Sequence, residues 1–332
     1  MDKTLIEFRY MPAALSALES FPIDVERAEF IAHSENVTFR ILVRDCNTDY
    51  ALRLHRPGYN TIEELESERT WTRELSESGI SVPDSLVTRS GKNFVLTEIP
   101  STNEQCYAGM TTWFEGVPVS KYLKKSYGED RRKRIFHRIG VIAAAIHNQS
   151  ANWNVPPGFT RRRLDLDGLL GETPHWGRFW DHTNLTDTER NLLLGARQRA
   201  CDTLVNYGKT LANFSLIHAD LHPDNFIHDG NDLMLIDFDD SAYGWHMYDI
   251  ASALTDDWWT EDFETVCVTL LDGYREHRPL SKRDVEILQV FLLIRGMVTI
   301  GWFHQRPEHK GSEYFEKVKH WVLEKCRSPV PR

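Results

Sequence analysis

The chain has 332 residues, with 49 acidic and 39 basic side chains, a formal net charge of −10, 41% hydrophobic residues and 27% charged ones. These are values of an ordinary globular protein, and they exclude a disordered acidic tail, a collagen-like repeat and a disulfide scaffold. The acidic balance argues against a general nucleic-acid binder, which needs Lys and Arg to neutralise phosphates. No apolar run approaches the roughly 20 residues that cross a bilayer; the longest, near 291–294, is interrupted by Arg295. No charged segment followed by an apolar core opens the chain, so no secretory signal and no membrane insertion are expected. The five cysteines are scattered and form no C-x-x-C pair, which suits a reduced, cytoplasmic protein with buried thiols.

In chain order, short apolar runs at 29–31, 38–43 and 50–55 read as strands, the last two joined by a polar hairpin turn. A helix is expected over 61–78: Thr61 is a good N-cap, Glu64 supplies the capping-box acid, and Gly79 is a natural stop. Further strands are expected near Leu86 and over 94–98. From Lys121 the pattern turns helical, with an apolar stripe over 134–147. Pro156-Pro157-Gly158 breaks it, the stretch to His182 is rich in turns, and 186–208 is again helical. A strand-and-turn region over 214–240 precedes a helical remainder. The expected architecture is α+β: a β-rich lobe at 1–112, and a larger helical lobe at 113–332.

Chemistry concentrates in His218-Ala219-Asp220-Leu221-His222-Pro223-Asp224-Asn225, followed by Ile236-Asp237-Phe238-Asp239-Asp240. Asp220 and Asn225 have the spacing of the pattern H-x-D-x-x-x-x-N, in which the Asp accepts the proton of an attacking hydroxyl and the Asn ligates Mg²⁺ through its amide oxygen. Asp237, ending the next strand, offers an ionised oxygen ligand to the same metal. A zinc cluster of His218, His222 and His228 with these acids is the competing reading, disfavoured because Pro223 breaks a regular i, i+4 histidine pair. His218 is expected to brace the loop, Asp224 and Asp240 to be solvated or capping, and Asp239 to touch a second metal or the loop backbone.

These motifs resemble the aminoglycoside phosphotransferase and choline kinase superfamily, which has a protein-kinase-like fold of two lobes with the active site in their cleft. The resemblance implies Asp220 as catalytic base, Asn225 and Asp237 as Mg²⁺ ligands, and ATP as phosphate donor. It places Arg53, in Tyr50-Ala51-Leu52-Arg53, where the kinase pattern V-A-I-K has its Lys, with Leu52 and Leu54 on the opposite face. Glu68, or Glu64 one turn earlier, would orient that cation. Ser34 and Asn36 fill the phosphate-covering turn, which lacks the G-x-G-x-x-G glycines. Thr112-Trp113-Phe114-Glu115-Gly116 is similar to the inter-lobe hinge, where backbone groups of Phe114 and Glu115 would bond adenine and Gly116 would permit the turn. Asp249 would bond the backbone of the catalytic loop. Asp239, where protein kinases have the Gly of D-F-G, departs from the protein-kinase pattern. Tyr207-Gly208-Lys209-Thr210 imitates the end of a P-loop but lacks its leading Gly and follows a helix.

The implied acceptor is a hydroxyl-bearing small molecule: an aminoglycoside, choline or ethanolamine, or a homoserine-like amino alcohol. Trp245, Trp258, Trp259, Tyr274 and Trp302, with Asp256, Asp257, Glu261 and Asp262 near them in sequence, suit either an ammonium site or an irregular aromatic core with capping acids. Arg295, in a nearly all-apolar helix over 285–303, needs a partner and reads as a structural ion pair. The 34–36 turn, Leu54-His55-Arg56-Pro57 and Asp239-Asp240 also resemble bacterial stress-response Ser/Thr kinases of the same fold, which makes a protein substrate the alternative. A nucleotide-binding pseudokinase regulator is the third, since Arg53 replaces Lys.

Overall fold

The computed structural model describes residues 3–124, 128–309 and 311–327. The elements in order are α1 (Lys3–Leu18), β1 (Val25–His33), β2 (Val37–Val43), β3 (Tyr50–Leu54), α2 (Ile62–Glu77), β4 (Ser85–Leu86), β5 (Phe94–Ile99), β6 (Glu104–Thr112), β7 (Val117–Pro118), α3 (Val119–Lys124), α4 (Glu129–Asn152), β8 (Arg163–Leu164), α5 (Leu166–Leu170), α6 (Asp187–Tyr207), β9 (Phe214–Ile217), β10 (Phe226–His228), β11 (Leu233–Leu235), β12 (Ala242–Trp245), α7 (His246–Ala253), α8 (Phe263–Arg275), α9 (Lys282–His304) and α10 (Glu313–Arg327). The α+β class holds. The chain forms two compact units, and its path between them is not a single crossing. Residues 1–117, 155–160 and 227–239 make the first unit; 118–154, 161–226 and 240–332 make the second.

The first unit is an antiparallel sheet ordered β1-β2-β3-β6-β4, with β5 also paired to β6. Alternation on β3 buries Leu52 and Leu54 in the core and turns Arg53 to the other face. Helix α1 packs Ile6, Ala13, Ala14, Ala17 and Leu18 into that core with Phe30, Phe39 and Ile41. Helix α2 begins at Thr61, whose side chain accepts from the Glu64 amide while the Glu64 carboxylate accepts from the Thr61 amide, so both halves of the capping box are made. Glu64 is thereby committed to the helix end, which leaves Glu68 as the acid of α2 for Arg53.

The second unit is mostly helical. Helix α6 starts with the same device at Thr186 and Glu189. Helices α4 and α8 pack with Gly140 and Gly273 at their contact: a Cβ on Gly140 would lie 2.0 Å from the Leu270 carbonyl, and one on Gly273 2.0 Å from that of His137. No side chain fits there, so the two backbones approach closely. Among the described residues one helix, α9, is long and apolar enough to cross a membrane, Arg295 included; 67% of its most apolar window is buried in the protein. It is the core helix of this unit. The five cysteines are free; Cys106 and Cys326 are buried, but Cys46 is exposed, contrary to the expectation for that thiol.

Candidate active site

The site residues fall into two groups, one in each unit. In the first unit, Arg53 gathers carboxylates. Its Nη2 donates to Asp237 Oδ1 at 2.7 Å and lies 3.7 Å from Asp239 Oδ2. Burial opposes the guanidinium charge, but Asp237, Asp239 and Glu68 outweigh it and raise the Arg53 pKa. Glu68 is buried on α2, and its Oε1 is 3.9 Å from Arg69 Nη1. The two aspartates differ. Asp237 keeps 39% of its side chain exposed, whereas Asp239 keeps 7%. Asp239 accepts from Asn36 Nδ2 and faces His55 Nδ1 at 3.4 Å. Burial pushes its pKa up, yet Arg53, then His55 and Asn36, hold it well below the usual carboxylate range. Asp239 is therefore a buried brace between β3, the 34–36 turn and its own 236–239 segment.

Asn36 is likewise a brace. It is buried, its amide nitrogen serves Asp239, and its Oδ1 accepts from the Arg56 amide at 3.1 Å. Its side chain is thus occupied by protein, while Ser34 stands exposed at the hairpin tip with its amide bonded to the Asn36 carbonyl. Past β6, the Trp113 amide bonds the Asp49 carbonyl, and strand pairing ends at Thr112. The backbone of Phe114 and Glu115 is outside that ladder, and the Glu115 carboxylate pairs with Arg40. Gly116 follows at φ +140°, where a Cβ would lie 2.5 Å from the His228 carbonyl oxygen. Only glycine fits this turn.

In the second unit, β9 and α7 flank and hold the 218–225 loop. Asp249 on α7 accepts the amides of His218 at 2.9 Å and Ala219 at 2.6 Å, the loop-bonding role expected for it. Ala219 has φ +70°, and Ser252 donates to its carbonyl at 3.1 Å. Asp237 in the first unit has φ +68°. Left-handed backbone at non-glycine residues is costly and is kept where surrounding bonds impose it. His218 is fully buried and its Nδ1 accepts from the Asp220 amide at 3.3 Å, so it braces the loop.

Asp220 is held on both oxygens. Arg295 of α9 donates to Oδ1. His222 Nε2 lies 3.1 Å and Asn225 Nδ2 3.2 Å from Oδ2. Burial opposes ionisation, but His222 and Arg295 keep the Asp220 pKa well below the usual range. The His222 Nδ1 accepts from the Asp224 amide at 3.2 Å, so the ring proton sits on Nε2, toward Asp220. Burial works against a second proton there, while Asp220 raises the ring's pKa. Asn225 Nδ2 also donates to the Asp220 carbonyl at 2.8 Å. With its nitrogen spent on Asp220, Asn225 has Oδ1 left for a metal. Sequence reasoning flagged Arg295 as a buried charge in want of a partner; that its partner is Asp220 emerges only in the fold.

Among the described residues no three His, Cys, Asp or Glu side chains gather to hold a metal ion, so the zinc reading finds no support among them.

A model of the phosphotransferase enzyme family matches residues 28–282. The chain belongs to that family. This phosphotransferase is 25% identical over 293 residues to the amicoumacin kinase of Bacillus subtilis (strain 168), covering 84% of this chain and 80% of the relative. It is similar to the solved structure of a microcompartment-associated aminopropanol kinase, with TM-score 0.81, 26% identity and 95% of both chains covered. The amicoumacin kinase hAmiN, solved with AMP-PNP, Ca²⁺ and Ami, shares the fold with TM-score 0.78 at 19% identity, over 99% of this chain and 97% of that one. The fold is kinase-like.

Proposed function

We propose that this phosphotransferase moves the γ-phosphoryl group of ATP to a hydroxyl of a small, amine-bearing alcohol, with Mg²⁺. The observation that carries the reading is Asp220, a partly exposed carboxylate fixed by Arg295 and Asn225 in the strained loop that Asp249 holds. As the acceptor oxygen bonds to the γ-phosphorus, its proton passes to Asp220; the bond from the γ-phosphorus to the bridging oxygen breaks, and ADP leaves with the electron pair. Asn225 and Asp237 would hold Mg²⁺, which would supply charge neutralisation on the phosphoryl oxygens. Arg53 binds the α- and β-phosphates, Glu68 supports its charge, and the backbone of Phe114 and Glu115 takes adenine. Ser34 meets phosphate from the hairpin tip, and Asn36 positions that turn.

Support for an amine on the acceptor comes from the second unit. Trp245, Trp258 and Tyr274 are buried core residues, as the aromatic-core reading has it, but Trp259 is 40% exposed and packs edge-on against Tyr314 at 5.8 Å. Asp256 is exposed on the short helical turn over 255–257 that precedes α8. The similarity to an amicoumacin kinase and an aminopropanol kinase supports the same reading.

The test is ADP release with Mg-ATP against aminopropanol, amicoumacin, choline, ethanolamine, homoserine, an aminoglycoside and a generic protein substrate. Turnover with one of the amino alcohols, abolished by Asp220→Asn, is expected. Phosphorylation of the protein substrate alone would transfer the reading to a Ser/Thr kinase. ATP binding with no turnover on any acceptor would favour the regulator.

A further inference from the structure

We infer that Arg295 is the positioning residue of the proton acceptor: it pins Asp220 Oδ1, so that Oδ2 is the atom presented to the acceptor hydroxyl. The inference rests on the kinase reading above and gives Arg295 a part in the transfer step that this reading does not assign.

Arg295 is the one charged side chain between Ile287 and Phe303 of α9, a stretch otherwise apolar apart from Gln289 and Thr299. Keeping a guanidinium in such a helix costs free energy unless its donors are matched. Its Nη2 donates to Asp220 Oδ1, and its Nη1 lies 3.3 Å from the Tyr248 hydroxyl and 3.4 Å from the Ala219 carbonyl. One planar fork therefore grips the carboxylate and the backbone just before it. The same peptide is held from its other side by Asp249 on the Ala219 amide. Helices α7 and α9 thus fix a left-handed residue and the carboxylate that follows it.

The two oxygens of Asp220 are held unequally. Oδ1 is gripped closely by Arg295, whereas Oδ2 is met at longer range by Asn225 Nδ2 at 3.2 Å and His222 Nε2 at 3.1 Å. An incoming hydroxyl displaces these longer contacts more readily than the close guanidinium bond. A cation on Oδ1 makes Asp220 a poorer base, and the transition state makes that loss tolerable. In loose phosphoryl transfer the acceptor loses its proton late, so the orientation of the hydroxyl matters more than the basicity of the carboxylate.

The experiment uses the full chain, Mg-ATP and whichever alcohol of the panel turns over fastest. Arg295→Met is expected to lower kcat about 100-fold, while the affinity for Mg·AMP-PNP, read by calorimetry, stays unchanged. Arg295→Lys is expected to recover part of kcat, and added ethylguanidinium to restore part of the activity of Arg295→Ala. A folded Arg295→Met enzyme with kcat within about threefold of wild type overturns the inference. So does a loss that Lys and ethylguanidinium both fail to rescue, or one that appears equally in AMP-PNP affinity, since that is the mark of a structural residue. Asp220→Asn separates the two levels: if it stays active, the base assignment itself is wrong, and if it is dead while Arg295→Met is not, only the positioning role fails.

Discussion

Asp237 and Asp239 are two residues apart and both acidic, yet they do different work. Asp239 sits against Arg53, His55 and Asn36 with almost no exposure, and Asp237 offers an open carboxylate beside the same arginine. Removing Asp239 leaves a buried guanidinium without its inner counter-charge, a loss of about 3–5 kcal/mol in comparable buried pairs. Asp239→Ala should therefore lower the denaturant midpoint strongly. Asp237→Ala should leave the midpoint near wild type, because solvent replaces what is lost at a partly exposed site, while Mg²⁺ no longer strengthens AMP-PNP binding. Equal stability of the two variants would reject the division of roles. Asn36 belongs with Asp239 in this scheme, and the sequence could not say so. The two residues are 203 positions apart, and a polar side chain in a turn carries no mark of a distant partner.

At the scale of elements, what was legible had local causes. Thr61 with Glu64 and Thr186 with Glu189 announce helix starts within four residues, and both capping boxes are present. The spacing of Asp220 and Asn225 is local in the same way. Helix α1 was missed because its periodicity is blurred: Leu5, Phe8 and Leu15 are 60%, 82% and 51% exposed, while small alanines fill much of its inner face. Strand β6 was missed because its mixed run, Glu104-Gln105-Cys106-Tyr107-Ala108-Gly109-Met110, reads as a connection; its pairing with β3, β4 and β5 makes it central. The turn after β6 gives an element-scale test. Gly116→Ala forces a Cβ against the His228 carbonyl at a φ that side chains rarely adopt. A destabilisation of about 1–3 kcal/mol is expected by chemical unfolding, with a raised KM for ATP as the neighbouring Phe114 and Glu115 backbone shifts. A variant as stable as wild type would show that the turn relaxes freely.

For the whole molecule, the −10 charge says little about stability against pH; buried groups decide it. His147 and His246 are buried and stacked 4.3 Å apart, and His147 bridges Tyr274 at 2.8 Å and Asp249 at 3.1 Å. Burial lowers both pKa values well below the ordinary histidine value. Burial, with Arg162 and Arg161, lowers His175 to about 3. Between pH 6.5 and 5 these three rings take up protons in the unfolded chain and not in the folded one, so stability must fall as pH falls. Asp249 works the other way. Burial raises its pKa to about 6, so in this window the folded state gains a proton there that the unfolded chain does not. The buried rings outnumber this carboxyl, so stability still falls with pH, each uncompensated proton contributing at most about 1.4 kcal/mol per pH unit. Urea unfolding at pH 7, 6 and 5 should show the midpoint dropping steadily. His147→Gln should flatten the slope by about one proton equivalent, whatever it does to stability at pH 7. An unchanged slope in that variant would mean that His147 is already protonated in the folded protein, and Asp249 would then hold the catalytic loop as one half of a buried ion pair.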